Sequence, residues 1–160
     1  MELSMRLAAE ADADAVLDIY NSNPDFLLHH LGLERVDAAF LRREQEEMRR
    51  VGFSSCVLTG AQDGLPVGVL DYRPGDCAYL SLLMLHRAQR GVGLGRACYA
   101  FFERYAARQG SRSIRIDVVD DYEGNALPFW ERQGFCARER TELRWGEKCS
   151  RALVMVKNLE

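Results

Sequence analysis

A turn carrying three alternating glycines constrains this chain more than any other stretch. In HRAQRGVGLGRACYAFFERYAARQG, from His86 to Gly110, Gly91, Gly93 and Gly95 stand between two strong patterns. Before them lies an apolar run, CAYLSLLML from Cys77 to Leu85, and after them a helical stripe of Leu94, Ala97, Phe101 and Tyr105. A strand that passes through such a turn into a helix leaves backbone N–H groups unpaired at the positive end of the helix dipole, which suits a phosphate. With no Cβ atoms in the way the backbone can approach an anion closely, and Arg90 and Arg96 bring positive charge to the turn.

Two familiar uses of such a turn do not fit the residues. A P-loop needs a Lys after its glycines, and none follows these. A dinucleotide site of an oxidoreductase has its glycines directly behind the strand and an acid about 20 residues further on. Asp117 stands at that distance, but the spacing is G-x-G-x-G and HRAQR separates strand from glycines. A glycine turn without any ligand is a third reading.

Around the turn, the periodicities give the rest of the order. Glu2 to Leu7 reads as a first strand, and Ala13, Val16, Leu17 and Tyr20 follow at helical spacing. NSNPD, Asn21 to Asp25, is a turn cluster. A charged helix is expected from Glu34 to Val51, with Val36, Phe40, Glu44 and Met48 on one side. SSCVLTG from Ser54, PVGVLDY from Pro66 and the run to Leu85 are strands, joined by the hairpin turns Asp63-Gly64 and Pro74-Gly75-Asp76. The run to Leu85 becomes apolar on both faces, as a central strand should. Gly110 caps the long helix, and SIRIDVV from Ser113 is another strand. Asn125 has the character of an N-cap and Pro128 lies in the first turn of a short helix ending at Gly134. CARERTELRW and RALVMVKNL flank WGEKCS as a final hairpin, and Leu153 to Val156 make its last strand apolar on both faces. The order βααβββαβαββ predicts an α/β domain with a mixed sheet.

At 160 residues the chain can bury its own core, and one domain over 1–160 is expected. A net charge of -3 argues against a nucleic-acid partner. No apolar run reaches the ~18 residues of a membrane span, and the N-terminus lacks a signal-peptide core. Cys56, Cys77, Cys98, Cys136 and Cys149 have no metal-site spacing with His29, His30 or His86, so no metal is expected and the thiols read as idle in a cytoplasmic protein.

LHRAQRGVGLG resembles the acetyl-CoA motif of the GCN5-related N-acetyltransferases (GNAT), [QR]-x-x-G-x-[GA], which Arg90, Gly93 and Gly95 fill. Downstream, Ala126, Phe129, Trp130, Gly134 and Phe135 match that family's A-x-x-[FL]-Y-x-x-x-G-F except for one residue. The resemblance spans nearly the whole chain. It implies a single-domain α/β fold, a mixed, mostly antiparallel twisted sheet flanked by helices, and transfer of acetyl from acetyl-CoA to a primary amine by direct attack. It also implies that backbone groups of Leu83, Met84 and Leu85 pair with the pantetheine arm. The amides of Gly91, Val92, Gly93, Leu94, Gly95 and Arg96, with Arg90, would hold the pyrophosphate. Phe129 and Trp130 would lie near the thioester end, and Asn125 joins this set.

The departure is Trp130. Many members carry a tyrosine there as the acid that protonates the leaving thiolate, and an indole has only an N–H donor. Tyr122 stands just before the helix as a substitute, ahead of Tyr79 and Tyr99. An amine with a pKa near ~10.4 arrives protonated at neutral pH and needs a base. Asp120 and Glu123 are the named candidates, beside Asp117, Asp121 and, on an earlier strand, Asp71. The oxyanion would meet a backbone N–H near Leu85. The resemblance places the acceptor, a small molecule or peptide, against NSNPDFLLHHLG and TELRWGEKCS. There Asp25, Glu34, Glu142 and Glu147 suit a cationic amine, and Phe26, Leu27, His29 and Trp145 an apolar body. A homodimer through the terminal strands is a further expectation, internal burial being the equal reading of the two apolar faces of the last strand. The alternative to an enzyme is a catalytically silent acetyl-CoA-binding sensor of the same fold.

Overall fold

The computed structural model describes residues 2–60 and 63–160. Its strands are β1 (Leu3–Leu7), β2 (Ser54–Gly60), β3 (Pro66–Arg73), β4 (Cys77–Leu85), β5 (Ser113–Val119), β6 (Cys136–Trp145) and β7 (Lys148–Asn158). Its helices are α1 (Ala13–Asn21), α2 (Pro24–Leu31), α3 (Ala38–Arg50), α4 (Leu94–Arg108) and α5 (Leu127–Arg132). The strands form one sheet in the order β1-β2-β3-β4-β5-β7-β6, antiparallel except between β4 and β5. This is the mixed, mostly antiparallel α/β domain expected.

Each face of the sheet carries its own core. On one, Cys98, Tyr99 and Phe102 of α4 pack on Leu80, Ile114, Ile116 and Met155. On the other, Val16, Ile19 and Leu27 of α1 and α2 and Leu41 of α3 pack on Val57, Val69 and Met84. Leu27 and Phe102 are wholly buried, each stabilising the fold by about 1.5–3 kcal/mol relative to exposure.

Two expectations are corrected. Two helices, not one helix followed by a turn, lie between β1 and α3, because the Pro of NSNPD takes the first helical position of α2, where a missing N–H costs little. Leu27 and Leu31 then turn their stripe into the core. The short helix starts one residue later than an Asn125 cap implies. Ala126 is its N-cap, and Asn125 Oδ1 accepts from Leu127 N–H at 2.9 Å as a turn just outside it. The last strand, β7, is interior, paired with β5 from Ser113↔Asn158 to Val119↔Ala152 and with β6 from Cys136↔Val156 to Trp145↔Lys148. That explains its two apolar faces and leaves β1 and β6 as the edges.

Candidate active site

β4 carries one residue too many. Asp71 of β3 pairs with Leu82 and Tyr72 pairs with Leu80, so Ser81 is a bulge. A bulge bends a strand and increases its twist. β4 accordingly follows β5 only through Cys77↔Ser113, Ala78↔Ile114 and Tyr79↔Arg115. Beyond Tyr79 the two strands part, and β4 from Leu80 to Leu85 has no β5 partner. β5 itself continues, paired with β7. The cleft so opened includes Leu83, Met84 and Leu85, the residues expected to offer free backbone groups to an extended ligand arm.

The glycine turn lies at the end of this cleft. Gly91 (φ +82°) and Gly93 (φ +78°) adopt the left-handed conformation that other residues resist, and α4 starts at Leu94. From Gly91 to Arg96 no backbone N–H closes a hydrogen bond among the described residues, the first one being Ala97 N–H to Gly93 C=O at 3.1 Å. Val92 and Arg96 are exposed. A run of free N–H groups at the start of a fifteen-residue helix, with an arginine beside it, fits a pyrophosphate. The ring of Phe129 and the side chain of Leu85 flank Gly95, each within 3.6–3.7 Å of where a Cβ there would stand.

Asn23 ties this region to the helices on the opposite face, a role that nothing in the sequence pattern announced. It is 1% exposed. Its Nδ2 donates to the Leu85 carbonyl and to the Ile19 carbonyl, both at 2.9 Å, while its Oδ1 accepts from the Arg90 guanidinium. Ser22 Oγ accepts from Arg87 N–H at 3.0 Å. The end of α1 therefore holds both the last carbonyl of β4 and the first cation of the turn.

The other expected residues divide. Trp130 is half-buried and makes edge contacts with Tyr99, Phe129 and Phe135, with ring centroids 4.9–5.4 Å apart. Tyr122 lies flat on His29 (4.0 Å, 3°), and an aromatic chain continues through His30 and Phe26 to Trp145 and Tyr20. The structure thus brings together Phe26, His29 and Trp145 from the two expected acceptor segments. Burial, with Asp121 adding and Arg90 opposing, raises the Tyr122 phenol above its usual range, so it keeps its proton. Leu27 is instead core, and Asp25, Glu34, Glu142 and Glu147 are exposed.

Among the acids, Asp120 is gripped by Arg140 through both oxygens at 2.9 Å, which lowers its pKa. Asp117 accepts from Tyr79 Oη at 2.6 Å and from Arg115 at 2.9 Å. Glu123 is exposed in the loop before α5. Asp71 differs from all of these. It is 8% exposed, and burial raises its carboxyl to about 7, Ser55 opposing and Glu44 adding to the shift. Among the described residues no His, Cys, Asp and Glu cluster has the arrangement of a metal site, and no helix is long and apolar enough to cross a membrane.

The model of the acetyltransferase (GNAT) family matches residues 14–135. No curated protein matches the chain in sequence. Solved structures share its fold end to end. An acetyltransferase from Thermus thermophilus is 24% identical with a TM-score of 0.75, over 99% of this chain and 98% of that one. A ribosomal-protein-alanine N-acetyltransferase from Brucella melitensis is 23% identical with a TM-score of 0.68, over 98% and 99%. The yncA acetyltransferase from Salmonella typhimurium, solved with its cofactor acetyl-CoA, is 20% identical with a TM-score of 0.63, over 99% and 94%.

Proposed function

The chain belongs to the acetyltransferase (GNAT) family, a family of acetyl-CoA-dependent N-acyltransferases, and on that footing we propose that it moves acetyl from acetyl-CoA directly to a primary amine. The observation that carries this reading is the bulge at Ser81, which opens β4 from β5 and leaves the cleft ending at the free N–H groups of the glycine turn.

In this reading Gly91, Val92, Gly93, Leu94, Gly95 and Arg96 hold the pyrophosphate, with Arg90 fixed by Asn23. The cleft side of Leu83, Met84 and Leu85 takes the pantetheine arm as an added strand would, the Leu85 carbonyl itself being held by Asn23. Asn125 fixes the entry to α5, and Phe129 with Trp130 walls the arm by packing. Bound acetyl-CoA supplies an activated acyl carbon. The neutral amine attacks that carbonyl, its developing oxyanion met by a β4 backbone N–H. The C–N bond forms, the C–S bond breaks, and the electron pair leaves on sulfur. A thiolate with a pKa near ~8.5 leaves with little help at neutral pH. Tyr122, protonated and beside the acceptor helices, is the donor available to it. Holding amine and thioester together supplies much of the rate.

The packed Trp130 favours one second reading, a silent acetyl-CoA sensor. A thermal titration of the full chain separates the cases. Acetyl-CoA at ~100 times its Kd adds ~2.7 kcal/mol, a rise of roughly 5–10 °C for this size, and NADH is expected to add nothing. Absence of a shift with acetyl-CoA overturns the cradle. A shift followed by no acetylated product across a broad amine panel favours the sensor. Product is best read by mass, because Cys77, Cys136 and Cys149 are exposed thiols that would react with a CoA-trapping reagent.

A further inference from the structure

On the α1–α3 face, opposite the glycine turn, the departure of β4 from β5 leaves a cavity of about 160 Å³. Its walls come from many elements, among them Tyr20 of α1, Glu44 of α3, Asp71 of β3, Ser81 of β4, Asp117 of β5 and Trp145 of β6. Asp71 sits opposite the bulge, next to Leu82, where the strand turns away. Its position puts a carboxyl beside the place at which anything in the cleft meets anything in the cavity. Trp145 faces the same space, and its indole hydrogen-bonds towards the Glu44 carboxylate, opposing the rise in that group's pKa that burial causes.

Resting on the acetyl-transfer reading, we propose that this cavity receives a compact cationic amine with an aromatic or apolar body and no carboxylate beside its nitrogen, and that Asp71 takes the proton the ammonium must lose. The charge of the cavity argues for the substrate class. Among the described residues no cation is bonded to Asp71 or Glu44, both of which face the space, whereas Asp117 is neutralised by Arg115. The cation among the lining groups is Arg144, which is exposed. An acceptor bearing its own carboxylate beside the nitrogen would set like charges together in a poorly solvated space. Tyr20, Tyr79 and Trp145 give the apolar body its surface. The proton balance is simple. Ionised Asp71 accepts one proton from the ammonium, and the neutral amine attacks. The second proton, left on nitrogen as the C–N bond forms, balances the one the departing thiolate takes up, and protonated Asp71 returns its own proton to solvent after the amide leaves.

Charged and titratable groups face Asp71 from each neighbouring element: Cys56 on β2, Glu44 on α3, Tyr20 on α1, Tyr79 on β4, Asp117 on β5 and Arg144 on β6. Burial pushes Cys56 to about 11 and Tyr20 well above its usual value, so neither exchanges a proton near neutrality. Burial also sets the Asp71 carboxyl at about 7, close to working pH, where a general base is most effective.

The test is steady-state acetyl transfer by the full chain to phenethylamine and to phenylalanine between pH 5.5 and 10. Phenethylamine is expected to exceed phenylalanine at least tenfold in kcat/KM, with an acid limb near pH 7 that reports Asp71. In Asp71→Asn, kcat/KM at pH 7 is expected to fall about 10²–10³-fold. That loss should shrink towards pH 10, where the free amine needs no base, while the acetyl-CoA thermal shift persists. Glu44→Gln removes a neighbouring negative charge and should move the acid limb below 7. Equal use of phenylalanine, or an Asp71→Asn loss that is the same at every pH, overturns the proposal while acetyl transfer itself stands. Failure of both amines and of every other amine, with acetyl-CoA still bound, would instead sink the transfer reading on which the pocket depends.

Discussion

On one side of the splayed β4, the stretch from Gly91 to Arg96 presents backbone N–H groups that need no particular side chain. On the other side, the cavity is walled by side chains drawn from six strands and helices that are far apart in sequence. The first region is exposed and its chemistry is fixed by conformation. The second is buried and its chemistry is fixed by desolvation, which lifts Asp71 to about 7. The difference teaches where each site stores its cost. The turn needs residues that tolerate positive φ, whereas the cavity needs a carboxyl that the folded chain would rather keep neutral.

The largest expected effect tests that cost. The Asp71 carboxyl is raised from 3.8 to about 7, so the folded state holds its proton more tightly than the unfolded chain does. Stability from this group is therefore greatest below pH 3.8 and declines until about pH 7. At about 1.36 kcal/mol per unit, the loss is at most about 4 kcal/mol. Asp71→Asn should match the natural chain near pH 4 and exceed it at pH 8 by up to that amount in urea denaturation. A gap independent of pH would break the contrast between the regions.

Next in size is the tie between the two regions. Asn23→Ala strands the Leu85 and Ile19 carbonyls and the Arg90 guanidinium, and it should cost about 2–3 kcal/mol. It should also weaken acetyl-CoA more than tenfold, because Arg90 loses its anchor. Unchanged acetyl-CoA affinity would show that the regions are independent. Gly93→Val forces a branched side chain to φ +78°, with a stability cost of about 1–2 kcal/mol and loss of most of the acetyl-CoA thermal shift. Gly95→Ala is the smallest. A Cβ there meets Phe129 and Leu85 at ordinary contact distances of 3.6 and 3.7 Å, and the helix gains up to about 1 kcal/mol. Acetyl-CoA binding should survive, and its loss would mean the ligand passes closer to Gly95 than to Gly93.

The same contrast explains what was legible beforehand. The strands beginning at Ser54, Cys77 and Ser113 were readable to the residue, because each is an apolar run bounded by turn residues. The glycine turn was readable because all its parts are neighbours in sequence. The α2 helix was hidden by Asn21, Asn23 and Pro24, whose turn character is real but serves the helix start. Asp71 and Glu44 were each visible singly, one as a candidate base on a strand and the other on the same side of a charged helix as Val36, Phe40 and Met48. Their meeting was not, since it depends on the bulge at Ser81, a property of strand register that no local pattern encodes. The Arg115 partner of Asp117 was within reach, two residues apart on one face of a strand. The Arg140 partner of Asp120, brought in by another strand, was not.

The interior place of β7 has a consequence for how the molecule comes into being. Until residues 148–158 have left the ribosome, β5 and β6 each keep a bare hydrogen-bonding edge. Three of the seven strands must therefore wait for β7 to be synthesised, while β1 to β4 can already pair with one another. Nascent chains halted before Lys148 should be digested by protease from β5 onward. The birth of this fold is an insertion that closes two gaps at once, and during that interval the chain is most exposed to pairing with the wrong neighbour.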